Sequence, residues 1–121
     1  MKTNQELKLA KEQYQNLFNS TPLPCWVYDL ETLYFLDVNA AAIRDYGYTR
    51  EEFLSMTIRQ IRPEEDIPIL EDIIKNKIKP GSFGRDSVRH TKKSGEIISV
   101  IAEGNSLIYE ERQARIVTTI D

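Results

Sequence analysis

Apolar residues recur at three- and four-residue spacing in two segments, residues 4–19 and residues 64–79, and this spacing predicts two amphipathic helices. The second helix is predicted to begin after Pro63, because three acidic residues then lie at the positive end of the helix dipole. A lysine-rich last turn precedes Pro80 and Gly81, which are expected to end this helix.

Two shorter helices are predicted between the long ones, from residues that suit helix ends. Asn39 suits the N-cap of a helix over residues 40–46, and Gly47 suits its C-terminal end. Thr49 and Glu52 have the spacing of a capping box, in which the two side chains satisfy each other's backbone amides. A short helix is therefore predicted to follow Thr49.

The remaining apolar segments alternate or are bounded by turn residues, which is typical of strands. The five predicted strands span residues 25–28, 33–38, 83–91, 97–107 and 114–120. Turns are predicted at residues 29–32, 93–96 and 109–112. This order of elements predicts an α+β fold, with one five-stranded antiparallel sheet, helices on one face and an N-terminal amphipathic helix.

Length and charge restrict the classes of partner. The chain has 121 residues, the size of one domain, and its 16 basic and 19 acidic residues give a net charge of −3. Non-specific nucleic-acid binding needs a basic surface, and no apolar run approaches the roughly 18 residues of a membrane span. We therefore expect neither nucleic acid nor membrane as a partner. Cys25 is the single cysteine, so a reducing cytoplasm is the expected compartment.

Few residues are available for catalysis or metal binding. His90 is the single histidine and Cys25 the single cysteine, so they cannot form a zinc site of nitrogen and sulfur ligands. His90 lies in a polar, basic stretch, and we expect it to be a solvated strand residue. A carboxylate enzyme would need two inward carboxylates, but Asp29, Asp37 and Asp45 are expected at turn or surface positions. An enzymatic activity is therefore not expected.

Four segments, taken in this order and spacing, resemble a PAS domain of the sensory-box type. Residues 38–41 are similar to the family's second strand and its capping Asn, and residues 46–54 to its Gly-Tyr-Ser/Thr-x-Glu-Glu-Leu segment. Residues 89–95 are similar to the Arg-His-x-x-Lys-Asp-Gly hairpin, with Ser94 where Asp is usual. Residues 118–121 resemble the last strand entering the Asp-Ile-Thr signature of an output helix.

The resemblance implies a domain over residues 20–121 that stops where an output linker helix would start. It implies that residues 1–19 form an amphipathic capping or dimerisation helix. The expected function is that of a cytoplasmic sensory input module in a bacterial- or archaeal-type signalling protein, most often a sensor histidine kinase and less often a diguanylate cyclase. Asp121 is expected to pass the signal to the output domain. A PAS domain used only for homodimerisation or partner docking, with no ligand, is the alternative.

The family's ligand pocket lies between the sheet and the helices that cross it. Strand alternation and the resemblance give the pocket candidates Trp26, Tyr28, Leu36, Val38, Tyr46, Ile74, Val100, Val117 and Thr119. Trp26 and Tyr28 either fill the core or line a cavity. The Thr119 hydroxyl needs a partner, which is a bound ligand, a backbone carbonyl or a water.

The resemblance also bears on cofactors. The flavin-adduct subfamily carries a cysteine in a segment that corresponds to residues 56–62, and none is present there. Haem-binding members carry an axial histidine in the long helix, but residues 64–79 contain neither His nor Met. A cysteinyl-flavin and haem are therefore not expected, whereas non-covalent FAD stays open. A small metabolite, or no ligand, is the expected occupant.

Apolar residues on the outer sheet face need a cover. The N-terminal helix provides one, either from the same chain or from a second copy, and the second arrangement predicts a homodimer. The candidate dimer residues are Leu7, Tyr14, Leu17, Phe18, Ile101 and Ile116.

Overall fold

The computed structural model describes residues 3–76, 78–79 and 81–121, and they form an α+β fold. The strands are β1 (Cys25–Asp29), β2 (Phe35–Val38), β3 (Phe83–Thr91), β4 (Ile97–Tyr109) and β5 (Arg112–Ile120). They pair in one antiparallel sheet in the order β2-β1-β5-β4-β3. The predicted five-stranded sheet is confirmed, and β5 is its central strand.

The helices also follow the predicted order. They are α1 (Asn4–Ser20), α2 (Ala40–Tyr46), α3 (Arg50–Leu54) and α4 (Ile67–Asn76), with 3-10 turns over Ile58–Ile61 and Glu64–Asp66. Asn39 caps α2 by accepting from the Ala42 amide, and Gly47 ends it in the left-handed conformation, with φ of 85°. The Thr49 capping box opens α3 with both of its hydrogen bonds present. These cap predictions are confirmed.

Three predicted boundaries differ in the structure. The second long helix is divided, because a 3-10 turn over Glu64–Asp66 precedes α4, and Lys77 and Pro80 at its expected end lie outside the described residues. The predicted strand over residues 33–38 starts two residues later, since Leu33 has a φ of 68° and forms part of the turn. The last hairpin turn is shorter than predicted and consists of Glu110 and Glu111, which both have positive φ.

Asn39 connects three elements at the buried junction of α1, β1 and α2. Its side-chain oxygen accepts from the amides of Cys25 and Ala42 at 3.0 and 2.9 Å. Its side-chain nitrogen donates to the carbonyls of Phe18 and Leu23, both at 3.0 Å. Asn39 is completely buried, and three of the four hydrogen bonds are buried with it, whereas the one to Leu23 is part-buried.

The sheet has an inner face toward the short helices and an outer face toward α1. Residues that pair across strands share a face, so Trp26, Val117 and Gly104 form one inner row. On the outer side, the hydroxyl of Tyr14 in α1 reaches Asp37 of β2, while Phe18 is buried. The C-terminal half of α1 therefore packs against its own domain.

Aromatic residues fill one half of the space between the inner face and the helices. Trp26 makes edge contacts with Phe35 and Tyr46, and Phe35 makes another with Phe53. All four rings are almost completely buried. Edge-to-face packing of this kind is favourable because the positive ring edge meets the negative ring face.

Candidate functional site

A cavity of about 50 Å³ remains in the other half of that space. Its sheet side is formed by inner-face residues of four strands, among them Trp26, Tyr28, Val88, Ala102, Gly104 and Val117. Its helix side includes Ile61, Leu70, Ile73 and Ile78. The space exceeds the roughly 10–15 Å³ that one water needs, but it is small compared with sites for drug-sized ligands.

Arg115 lies flat on the inner face at the sheet side of this cavity. Its Nη1 donates to the hydroxyl of Ser106 at 3.0 Å and to the carbonyl of Ser82 at 3.3 Å. Two glycines on neighbouring strands make room for the guanidinium, because a Cβ at Gly104 would lie 2.6 Å from Nε and one at Gly84 2.7 Å from Nη2. The side chain is 6% exposed, so its position is fixed by packing as well as by hydrogen bonds.

Arg62 enters the same cavity from the helix side. It follows the 3-10 turn Ile58–Ile61, and its Nε is buried without a hydrogen-bond partner in the part of the chain that the structure describes. Burial lowers the pKa of the guanidinium, and the nearby charges of Tyr28 and Asp66 act in the opposite direction. The group remains a cation, because an arginine pKa starts above 12.

The other polar groups at the cavity do not neutralise both arginines. Asp86 of β3 is its one carboxylate, and among the described residues it forms no ion pair with Arg62 or Arg115. Burial raises the pKa of Tyr28 to about 12, so its hydroxyl stays protonated. Two cations and one anion leave the lining with a net charge of +1.

His90 is buried at the cavity wall, which corrects the expectation of a solvated strand residue. It is 1% exposed, and its Nδ1 lies 2.6 Å from the hydroxyl of Tyr46. Burial, with the charge of Arg62, lowers its pKa to about 3, so the imidazole is neutral. The basic neighbours along β3 made His90 look exposed in the sequence. Because side chains alternate along a strand, His90 points inward while Arg89 points outward and binds Asp66.

Six of the predicted pocket residues fall into three groups. Trp26, Tyr28 and Val117 line the cavity, whereas Val38 and Ile74 belong to the adjoining core, and Tyr46 reaches it through His90.

Val100 and Thr119 lie next to a different depression, together with Asp121. The Thr119 hydroxyl donates to the carbonyl of Pro24 at 3.4 Å, so a backbone carbonyl is its partner. Of the alternatives for this hydroxyl, the structure supports the backbone partner.

Leu36 points to the opposite side of the sheet, which corrects its assignment to the pocket. The register between β1 and β2 shifts after Val27, so Tyr28 pairs with Phe35 and Leu36 is the extra residue of a bulge. Phe35 takes the inner position, and Leu36 lies in an outer groove beside Tyr14 and Tyr109.

Asp37 is buried in β2, which corrects the expectation of a turn or surface position. Asp29 is also buried, but it accepts from the amides of Glu31 and Thr32 in the predicted turn. Asp45 is exposed, as expected. Asp37 accepts from Arg50 at 2.6 Å and from the hydroxyls of Tyr14 and Tyr109 at 3.3 Å. Asp29 accepts from Arg112 at 2.8 Å. Both carboxylates serve outer-face or turn contacts and lie away from the cavity.

The candidate dimer residues divide into covered and exposed positions. Phe18 is buried and Tyr14 stacks on it, with ring centroids 5.4 Å apart, so these two residues cover their own sheet. Leu7 and Leu17 are 53% and 74% exposed. Ile101 and Ile116 are half-buried on the outer face.

The charged or ionisable cavity residues that were not predicted are Arg62, Asp86, His90 and Arg115. Arg115 has the same strand parity as Val117, so strict alternation along β5 would have placed it on the inner face. The two glycines at adjacent positions of β3 and β4 were a second signal, because a glycine in a strand often marks a close approach.

Comparisons with known proteins agree with this architecture. A protein-family model described as "PAS domain" matches residues 22–120. The chain is similar to a PAS domain from a two-component sensor histidine kinase, with 24% identity and a TM-score of 0.79 over 94% of this chain and 97% of that one. It is also similar to the PAS domain of an HTR-like protein from Haloarcula marismortui, with 16% identity and a TM-score of 0.83 over 97% and 95%.

A third similar structure is the LOV protein of Rhodobacter sphaeroides, with 13% identity and a TM-score of 0.75 over 93% of this chain and 66% of that one. Comparison with curated proteins gives no match. Among the described residues, no helix is both long and apolar enough to cross a membrane.

Proposed function

Because the chain belongs to the PAS domain family, we propose that it is the sensory input module of a cytoplasmic sensor histidine kinase. In this proposal the cavity binds a small molecule, and the change in the sheet passes to an output domain. The similarity to PAS domains of sensor histidine kinases supports the choice of parent protein.

The observation that carries the proposal is the position of β5. This strand contributes Arg115 and Val117 to the cavity, pairs with β1 on one side and β4 on the other, and ends at Ile120 next to Asp121. A ligand that binds one conformer of this strand more tightly would shift the population of conformers at its end. Such a shift needs a difference in affinity between the two states, and no large movement of the whole domain.

The cavity favours a small metabolite over a flavin or haem. Pockets for drug-sized ligands occupy roughly 300–1,000 Å³, whereas this cavity measures about 50 Å³. A flavin therefore does not fit the cavity as described, and Cys25 lies on the outer face, where it accepts from the Thr118 hydroxyl at 3.6 Å.

Native mass spectrometry of the purified chain, compared with denaturing mass spectrometry, tests ligand retention. We expect extra non-covalent mass in the wild type and in Ile101→Met, because that side chain lies on the outer face. We expect no extra mass in Ala102→Met, because the larger side chain fills the cavity. Circular dichroism checks that both variants fold. A clean apo mass for the wild type would exclude a tightly held ligand, and retention by Ala102→Met would contradict binding in the cavity.

Homodimerisation is a second candidate function, supported by the exposed apolar residues of α1 and the small volume of the cavity. Leu7 and Leu17 face water in the isolated chain, although α1 packs on its own sheet through Phe18. We expect light scattering to give twice the monomer mass of 14.1 kDa for the wild type and the monomer mass for Leu7→Ser/Leu17→Ser. Equal masses for the two proteins would exclude this role for α1.

A further inference from the structure

We propose that the cavity recognises a small monocarboxylate, with the carboxylate held between Arg62 and Arg115 and the alkyl end against the apolar wall. This inference rests on the proposed function, in which the cavity is the ligand site, and adds the chemical class of the ligand. The apolar wall includes Leu70, Ile73 and Val117.

The first argument is charge. Arg62 and Arg115 enter the cavity from opposite sides, and in the described part of the chain neither forms an ion pair with a carboxylate. Removing a cation from water is costly unless an anion or several hydrogen bonds compensate for it. Arg115 has hydrogen bonds to Ser82 and Ser106, but Arg62, which is half-buried, has a buried Nε without a hydrogen-bond partner among the described residues. An anion between the two guanidinium groups supplies the missing partner.

The second argument is the set of unpartnered donors. The buried Nε of Arg62 and the buried Nε2 of His90 both lack a hydrogen-bond partner among the described residues. Tyr46 stays protonated because burial raises its pKa, and we assign its hydrogen to His90 Nδ1. The neutral imidazole then carries its own hydrogen on Nε2. The cavity therefore presents donors, which suit an oxyanion ligand.

The third argument concerns the charge and shape of the anion. Asp86 reduces the net charge of the lining to +1, which matches a monovalent anion better than a phosphate dianion. Guanidinium groups bind carboxylates through two parallel hydrogen bonds in one plane. The volume of about 50 Å³ restricts the ligand to a few heavy atoms.

Asp86 is the competing counter-charge within the protein. If Asp86 held the two guanidinium groups in an ion pair, Asp86→Asn would lower the stability of the folded protein by removing their partner. If the cavity recognises an anion, Asp86 repels that anion, and Asp86→Asn is expected to tighten propionate binding by about three- to tenfold with no such loss of stability. Urea denaturation of this variant, together with the titration, therefore separates an internal ion pair from a ligand site.

The test is an NMR titration of the ¹⁵N-labelled chain with sodium propionate and with propionamide, at constant ionic strength. The two probes have nearly the same shape but differ in charge. We expect propionate to shift the amides of Gly84, Gly104 and His90 saturably, and propionamide to leave them unchanged. Arg62→Met is expected to weaken propionate binding by about 10- to 100-fold. The matched control is Arg59→Met, three residues earlier and paired with Glu71 on the surface, which should bind as the wild type does.

The outcomes of the titration distinguish the carboxylate assignment from the proposed function, which is ligand binding in the cavity. Equal binding of propionamide, or tighter binding of inorganic phosphate, would overturn the carboxylate assignment and leave a ligand site in place. No saturable shift by either organic probe up to roughly 20 mM, well above a 1 mM dissociation constant, would overturn the carboxylate assignment and leave the proposed ligand site to the native mass spectrum. Unchanged propionate binding in a folded Arg62→Met protein would show that Arg62 does not bind the carboxylate.

Discussion

Replacing Asn39 with alanine is expected to lower the free energy of unfolding by about 3–5 kcal/mol. The substitution removes an N-cap and leaves four backbone groups without partners: the amides of Cys25 and Ala42 and the carbonyls of Phe18 and Leu23. Each buried group left unsatisfied costs about 1–3 kcal/mol, and three of the four hydrogen bonds are buried, the one to Leu23 being part-buried. Urea denaturation monitored by circular dichroism measures the change.

Asn19 provides a matched control for this prediction. Its side chain also makes two hydrogen bonds, to the carbonyl of Gln15 and from the amide of Ala40, but both lie at the exposed surface. Asn19→Ala is therefore expected to cost less than about 1 kcal/mol. If the two variants lose the same stability, the buried junction of α1, β1 and α2 does not depend on Asn39.

Acidification from pH 7 to pH 5 is expected to cost the wild type about 2 kcal/mol of stability through His90 alone. The folded pKa of about 3 lies below the unfolded value of about 6.5. Below pH 6.5 the imidazole therefore becomes protonated in the unfolded chain but stays neutral in the folded chain. The free energy of unfolding falls as the pH drops through this range. His90 is the single histidine, so no other side chain with an ordinary pKa titrates in this window.

The control for the pH prediction is His90→Gln, whose side-chain oxygen can still accept from Tyr46. Stability of this variant, measured by urea denaturation at pH 7, 6 and 5, is expected to change little across the window. The paired carboxylates Asp29 and Asp66 have lowered pKa values, so their contribution to stability is lost only at more acidic pH. They therefore do not affect the comparison of the two proteins between pH 7 and pH 5. A wild-type stability that is flat between pH 7 and pH 5 would contradict a neutral, buried His90.

The fold could be predicted because its local signals agree with one another. Asn39 and Gly47 mark both ends of α2, the Thr49 capping box marks α3, and the predicted turns join consecutive strands of the sheet. These signals depend on neighbours in sequence, so they can be interpreted without tertiary contacts. The pairing of β1 with β5 was not predicted.

The candidate site was less predictable, because it depends on contacts between distant segments. Leu36 was misplaced since a bulge shifts the β1–β2 register by one residue, and one residue exchanges the two faces of a strand. Alternation along β5 places Arg115 on the inner face, but the space that buries it comes from glycines on two other strands. His90 lies in a polar stretch, and its burial depends on the aromatic rings of distant segments. A single-strand pattern does not contain these contacts.

The most direct test of a carboxylate site is a crystal structure of the chain grown with and without propionate. The account predicts density for the carboxylate between Arg62 and Arg115 in the first crystal, with the alkyl end toward Leu70. It predicts that Asp86 does not bridge the two arginines in the second crystal. An Asp86 carboxylate bound to both guanidinium groups, with no propionate in the cavity, would show an internal ion-pair network and contradict the account.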